Sequence, residues 1–193
     1  MPPPTLRPSL ADAHRLLGQL LADEAAIRTI DSIADALAGC LLAGGKILIC
    51  GNGGSLCDAA HFAEELTGRF RKDRQPLAAI ACADPGHITC TANDYGFEFV
   101  FSRWVEALGK PGDILIVLST SGNSANILRA VEAAKAGGLQ SVGLLGKGGG
   151  SLRGRCTHEL IVPGDTSDRI QELHMLILHT WVEGIEARLN AEG

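Results

Sequence analysis

Aromatic side chains are scarce in this chain of 193 residues: five Phe, two Trp and one Tyr, or 4%. A core with so few rings must be built from Ala, Leu, Ile and Val. Positive charge is not in excess either. Seventeen Lys and Arg face 22 Asp and Glu, a formal net charge of -5, so no basic field argues for nucleic acid. Any phosphate must therefore be held locally. No apolar run approaches the ~18 residues of a membrane span. Met1-Pro2-Pro3-Pro4-Thr5 has neither the charged start nor the apolar stretch of a secretory signal. The six cysteines (Cys40, Cys50, Cys57, Cys82, Cys90, Cys156) contain no CxxC pair, and they read as reduced thiols of a cytoplasmic protein. Two nucleotide motifs are also missing. A G-x-G-x-x-G starting at Gly51 fails at Leu56. Gly146-Lys147 is followed by Gly148 instead of Ser or Thr, so there is no P-loop, and NAD and ATP are poor ligand candidates.

What is abundant is glycine, 24 residues, placed between short apolar runs. Residues 9–43 have helical spacing (Leu10, Ala13, Leu16, Leu17, Leu20, then Ile27, Ile30, Ile33, Leu37) with a break near Asp23. This helical stripe either covers a sheet or meets another subunit. Strands are predicted at 47–50, 77–82, 113–118, 141–145 and 159–162. Helices are predicted at 55–67, near 97–108, at 124–136 and at 168–189. Short, continuously apolar strands separated by helices imply a parallel sheet covered on both faces. The expected fold is α/β: a doubly wound, five-stranded parallel sheet in a flavodoxin-like, Rossmann-like three-layer sandwich. One domain, residues 9–193, follows a loose arm at 1–8.

Two loops stand out. Gly51-Asn52-Gly53-Gly54-Ser55 joins the first strand to a helix, whose free N–H groups and dipole suit an anion. The plain alternative is a tight turn with a Ser cap. Leu118-Ser119-Thr120-Ser121-Gly122-Asn123-Ser124 repeats the arrangement with four hydroxyls in six residues, more than capping needs. Both loops follow parallel strands, so they open on the same carboxyl edge of the sheet, where open α/β folds bind ligands.

The helix at 55–67 carries a stripe of Leu56, Ala59, Ala63 and Leu66, read as buried, with Asp58, His61 and Glu65 facing the other way. His61 and Glu65 share a face, which suits acid/base or metal chemistry; a solvated polar face is the alternative. In the last helix Asp168 and Gln171 have capping-box spacing, and His174 and His179 sit in an apolar run. Gln171 and His179 are roughly 80° apart around the axis and about 12 Å apart along it. Their meeting on one ion requires leaning side chains or two copies of the chain.

Ser119-Thr120-Ser121-Gly122-Asn123-Ser124 resembles the signature of sugar isomerase (SIS) domains. Four further segments resemble the phosphoheptose isomerases within that family: Gly51–Ser55, Asp58–Arg69, Asn93-Asp94-Tyr95-Gly96 and Arg169–His174. The likeness runs through nearly the whole chain. It implies conversion of sedoheptulose 7-phosphate to D-glycero-D-manno-heptose 7-phosphate through an enediol, the first step toward nucleotide-activated heptose for lipopolysaccharide or other surface glycans. It implies Zn²⁺, one per subunit, on His61, Glu65, Gln171 and His179. Substrate contacts map onto Asn52, Gly53, Gly54, Ser55, Glu65, Asn93, Asp94, Ser119, Thr120, Ser121, Ser124 and Gln171. Glu65 is expected as base with His179 as its acid/base partner, although a zinc-bound carboxylate is a weaker base. The implied assembly is a homotetramer with sites near subunit contacts. Leu56 departs from the pattern, standing where some members carry His. The alternative is a non-catalytic SIS protein that binds phosphosugar or associates with a replication initiator. Such proteins lack the Glu and the final His, which this chain keeps as Glu65 and His179.

Overall fold

A computed structural model of the chain describes residues 6–191, with side chains described through residue 189. Helices α1 (Arg7–Ala22) and α2 (Glu24–Leu42) come first. Asp23 separates them: its carboxylate accepts hydrogen bonds from the N–H groups of Ala25 and Ala26, both at 3.0 Å, so the expected break is an N-cap. The loose arm expected over residues 1–8 does not extend to Arg7 and Pro8. Arg7 and Pro8 already form the first turn of α1, where a proline is tolerated because its missing N–H has no helical partner. Residues 1–5 lie outside the described residues.

Five strands follow: β1 (Ile47–Gly51), β2 (Ala79–Ala81), β3 (Ile114–Ser119), β4 (Gln140–Leu145) and β5 (His158–Ile161). They pair in parallel in the order β2-β1-β3-β4-β5. The connecting helices are α3 (Gly54–Thr67), α4 (Pro85–Tyr95), α5 (Val100–Leu108), α6 (Ala125–Ala136) and α7 (Ser167–Ala191), with short 3-10 turns at Phe97–Phe99 and Lys147–Leu152. Side chains alternate across the sheet. Ile47, Ile49, Ile114, Ile116 and Leu118 face α1, α2, α3 and α7, whereas Leu48, Cys50, Leu115 and Val117 face α5 and α6. The doubly wound three-layer sandwich is as expected.

Helix α2 covers the sheet, since Ile30, Ile33, Ala34 and Leu37 join the core. Helix α1 is covered only in part: Leu16 and Leu20 are buried, but Leu6, Leu10 and Leu21 stay exposed. Strand β2 is shorter than the expected 77–82. It is an edge strand paired only with β1, and the Leu77 N–H instead donates to the Leu66 carbonyl at the end of α3, at 2.9 Å. Among the described residues, no helix is long and apolar enough to cross a membrane.

Helix α7 buries one side against the sheet; Ile170, Ile177, Leu178, Trp181, Val182 and Ile185 are fully buried. His174 lies among them at 0% exposure. Burial pushes its imidazole down to about 4, against a smaller opposite pull from the Leu145 backbone. An unfolded imidazole titrates near ~6.5. Between those values the unfolded chain binds a proton that the native chain refuses. Stability is therefore unaffected above about pH 6.5 and falls as pH drops toward 4, by ~3 kcal/mol in total. Melting curves from pH 7 to 4 check this: His174→Leu is expected to remove that part of the slope, and an unchanged profile rejects the assignment.

Candidate active site

Strands β1 and β3 are neighbours, but their connections leave on opposite faces, β1 to α3 on one side and β3 to α6 on the other. Such a reversal opens a crevice beyond the carboxyl ends of the strands. The crevice holds a cavity of about 210 Å³ lined by Asn52, Ser55, Leu118, Ser119, Thr120, Ser121, Ser124, Ser167 and Gln171. None of these is Lys or Arg. Positive potential comes instead from three helix N-termini: Ser55 is in the first turn of α3, Ser124 is the N-cap of α6, and Ser167 begins α7.

The hydroxyls divide their tasks. Ser119 Oγ accepts from the Gly122 N–H (3.0 Å), and Ser121 Oγ accepts from the Asn123 N–H (3.2 Å), so both also shape the loop. Thr120 Oγ1 shares a hydrogen bond with Ser167 Oγ at 3.1 Å. Ser124 makes no side-chain cap bond, and α3 is capped by Gly53 backbone instead of by Ser55, so the plain capping reading fails at both serines. Gly53 takes φ 58, which glycine allows. Gly122, at φ +65, is pressed against the glycine run behind it: an added Cβ would lie 1.9 Å from the Gly149 carbonyl oxygen. The run Gly148-Gly149-Gly150, which is no P-loop, therefore backs the hydroxyl loop.

Further along the same two helices, roughly 12 Å from the cavity's edge at Gln171, α3 and α7 bring three side chains together. Glu65 Oε1 lies 3.2 Å from His61 Nε2 and 3.4 Å from His179 Nε2, and the two nitrogens are 3.3 Å apart. Such a triangle matches one face of a tetrahedron: ligand atoms ~2.05 Å from Zn²⁺ are about 3.3 Å from each other. Glu65 Oε2 is buried with no hydrogen-bond partner. Two imidazoles and a carboxylate with an unused oxygen fit a divalent metal, and this group is able to hold one. Phe70 stacks on the His179 ring, with centroids 5.8 Å apart and planes at 27°.

The helical wheel of α3 needs correction at Glu65. The residue is 7% exposed, not on an open polar face, and Phe62, absent from the expected stripe, is fully buried while Leu56 is only half-buried. The cause is α7, which packs against α3 and covers a second face of it. His61 remains exposed as expected. Asp58 is half-buried, and burial pushes its carboxyl up against the pull of His61.

Arg74 braces this arrangement. Its guanidinium donates to the carbonyls of Glu65 (2.6 Å) and Leu66 (2.8 Å) and to Glu186 Oε1 on α7 (2.7 Å). Carbonyls in the last turn of a helix have no partner within it, so Arg74 both satisfies them and ties α3 to α7.

Gln171 is not held in a capping box. Its Nε2 reaches Ser55 Oγ at 3.3 Å, and its amide lies over Gly54, where a Cβ would meet it at 2.8 Å. It therefore lines the hydroxyl cavity on the same helix as His179. Asn93 and Asp94 are placed elsewhere: both are exposed on α4, they are hydrogen-bonded to each other at 2.8 Å, and they do not line the cavity. Sequence reasoning missed Ser167 and Asn126. Ser167 carried a faint signal as a hydroxyl opening the last helix; Asn126 carried none.

A doubly wound sheet with a hydroxyl-lined crevice at its strand reversal defines a SIS-domain protein, and the SIS domain model matches residues 10–146. The phosphoheptose isomerase of Fusobacterium nucleatum is 58% identical over 171 residues, which cover 89% of this chain and 88% of that one. That of Edwardsiella ictaluri is 50% identical over 185 residues, covering 95% and 96%. The solved structure of the Neisseria gonorrhoeae phosphoheptose isomerase is similar with a TM-score of 0.87 at 38% identity, covering 94% of this chain and 97% of that one. The chain belongs to the phosphoheptose isomerase family of SIS-domain proteins.

Proposed function

We propose that this chain converts sedoheptulose 7-phosphate to D-glycero-D-manno-heptose 7-phosphate, the isomerisation that begins the route to nucleotide-activated heptose. The observation that carries the reading is one carboxylate, Glu65, held against two imidazoles about a sugar phosphate's length, roughly 12 Å, from an anion cavity without Lys or Arg. Relatives named phosphoheptose isomerase support it.

The spacing also suits the substrate. Gln171 borders the cavity, and His179 lies eight residues along the same helix, roughly 12 Å away. An open seven-carbon chain with its phosphate spans about 10 Å at the ~1.2 Å per bond of an extended chain. A phosphate on Ser119, Thr120, Ser121 and Ser124 then brings C1 and C2 to Glu65, while Asn52, Gly53, Gly54 and Ser55 hold the near hydroxyls. Glu65 takes the proton from the carbon next to the carbonyl and returns it to the adjacent carbon. His179 moves a proton at the carbonyl oxygen, giving the enediol between. Holding the reacting carbons in register is itself a large part of the rate. Asn93 and Asp94 complete the sugar contacts in a homotetramer whose sites lie near subunit contacts. All six cysteines are free, which supports a cytoplasmic location.

His61, Glu65 and His179 are gathered as residues that would hold one Zn²⁺ per subunit; Gln171, expected as the fourth, is turned to Ser55 and would have to lean along α7 to join them. When bound, the ion supplies polarisation of the carbonyl and a grip on adjacent hydroxyls. The test pairs turnover with metal content. Incubation with sedoheptulose 7-phosphate is expected to yield the aldose, and absence of product rejects the function. Native mass spectrometry is expected to find about one zinc per chain, lost in His61→Ala. Undiminished zinc in that variant rejects His61 as a ligand.

A further inference from the structure

We propose that Asn126 is the positioning residue that sets which edge of Asn52 meets the substrate. This rests on the isomerase reading above and adds a determinant to it. Asn52 lies in the loop after β1, and Asn126 lies in the first turn of α6. Asn52 Nδ2 donates to Asn126 Oδ1 at 2.9 Å, and Asn126 Nδ2 donates to Asn52 Oδ1 at 2.8 Å. The pair spans the crevice and ties together the two loops that leave the sheet on opposite faces.

An unpaired Asn amide turns freely between two near-equivalent orientations, because its last torsion is broad and roughly two-fold. Reciprocal pairing removes that freedom. Each amide spends one donor and one acceptor on the other, and neither flips without its partner. Asn126 is 3% exposed, so its amide is clamped by surrounding atoms. Asn52 is only half-buried and borders both the hydroxyl cavity and a neighbouring depression of about 340 Å³ beside Phe97 and Glu98. What Asn52 offers the ligand is thus one remaining N–H and one remaining lone pair, fixed in place by Asn126. Local structure gives no other reason for Asn126. An amide in a helix's first turn ordinarily serves its own helix terminus, whereas this one is engaged 74 residues away.

A double-mutant cycle tests the assignment, using Asn126→Ala, Asn52→Ala and the double variant on the full chain, with Asn126→Asp alongside. Alanine is the strongest helix former, so the Ala variant preserves α6. Asp keeps the volume but only accepts hydrogen bonds, so one contact survives and the other sets two oxygens against each other. Asn126→Ala and Asn126→Asp are each expected to raise KM for the sugar phosphate about tenfold with kcat within about threefold. In the Asn52→Ala background, Asn126→Ala is expected to change KM less than about twofold, because its effect passes through Asn52. A merely structural Asn126 would produce the same change in both backgrounds, and that result overturns the proposal. So does a wild-type KM in Asn126→Ala. Should the wild-type chain turn over no heptose phosphate at all, the isomerase reading fails instead, and the two failures are told apart by that control.

Discussion

Glu65→Gln is expected to lower isomerisation by about 10²- to 10⁴-fold, the usual contribution of a positioned general base, while the protein stays folded. The substitution keeps the size and planarity of the side chain. It removes the capacity to take a proton and the negative charge facing two imidazoles at 3.2 and 3.4 Å, and it replaces one acceptor oxygen by an NH₂ donor. Glu65 is nearly buried, and its Oε2 has no partner to lose. A coupled assay or direct NMR observation of the aldose reads the rate, and a thermal melt reads the fold. Near-full activity in a folded variant would end the assignment of Glu65 as base. The same variant bears on the competition between ligand and base roles. Loss of turnover with zinc retained isolates the proton transfer, whereas loss of both places the carboxylate's main task in holding the metal.

The second large effect lies at the other end of the sheet. Asp113 precedes β3 and Lys46 precedes β1, so the two meet at the amino ends of the central strands. The Asp113 carboxylate is 3% exposed. It accepts from the Lys46 N–H at 2.9 Å and the Lys110 N–H at 2.8 Å, and it pairs with the Lys46 ammonium. Lys46 keeps part of its surface in solvent, so the cost of Asp113→Ala falls mainly on the Lys46 and Lys110 N–H groups left without their acceptor, about 2–3 kcal/mol in urea unfolding. That is a large share of the ~5–15 kcal/mol typical of a domain. A loss under about 1 kcal/mol would show the network to be dispensable. Burial alone would push this carboxyl up. The bonds from the Lys46 side chain and from the Lys46 and Lys110 N–H groups outweigh it and hold the group below the usual carboxylate range. The native value is thus lower than the unfolded one. The stabilisation is complete above about pH 4 and is lost as pH falls through the native value.

The sheet was legible because its central strands are apolar on both faces. Residues 47–50, 113–118 and 141–145 read as short, mostly apolar runs, which is what helices on two sides demand. Strand β2 was less legible because an edge strand is set by its one neighbour. Helix α4 lacks a strong apolar stripe and was not among the predicted helices; it starts at Asp84-Pro85, where the Asp carboxylate accepts from the His87 N–H at 2.7 Å. The wheel of α3 failed at Phe62 and Glu65 because a wheel assumes one buried face, and α7 supplies a second. The glycine loop at 51–55 and the hydroxyl loop at 119–124 could be read from residue chemistry alone. The His61, Glu65 and His179 group could not, since the last member lies 118 residues beyond the first. Only likeness to a family joined them. The Asn52–Asn126 pair was invisible for a related reason: asparagine near a helix start has an ordinary local use that conceals a distant one.

The candidate site draws its first residues from the loop at position 52 and its last from position 179, with four of the five strands in between. A nascent chain still lacking α7 has the hydroxyl loop but no Gln171 above Gly54 and no second imidazole for Glu65. During synthesis, then, the growing polypeptide cannot gather this set of side chains until its closing helix has emerged and docked.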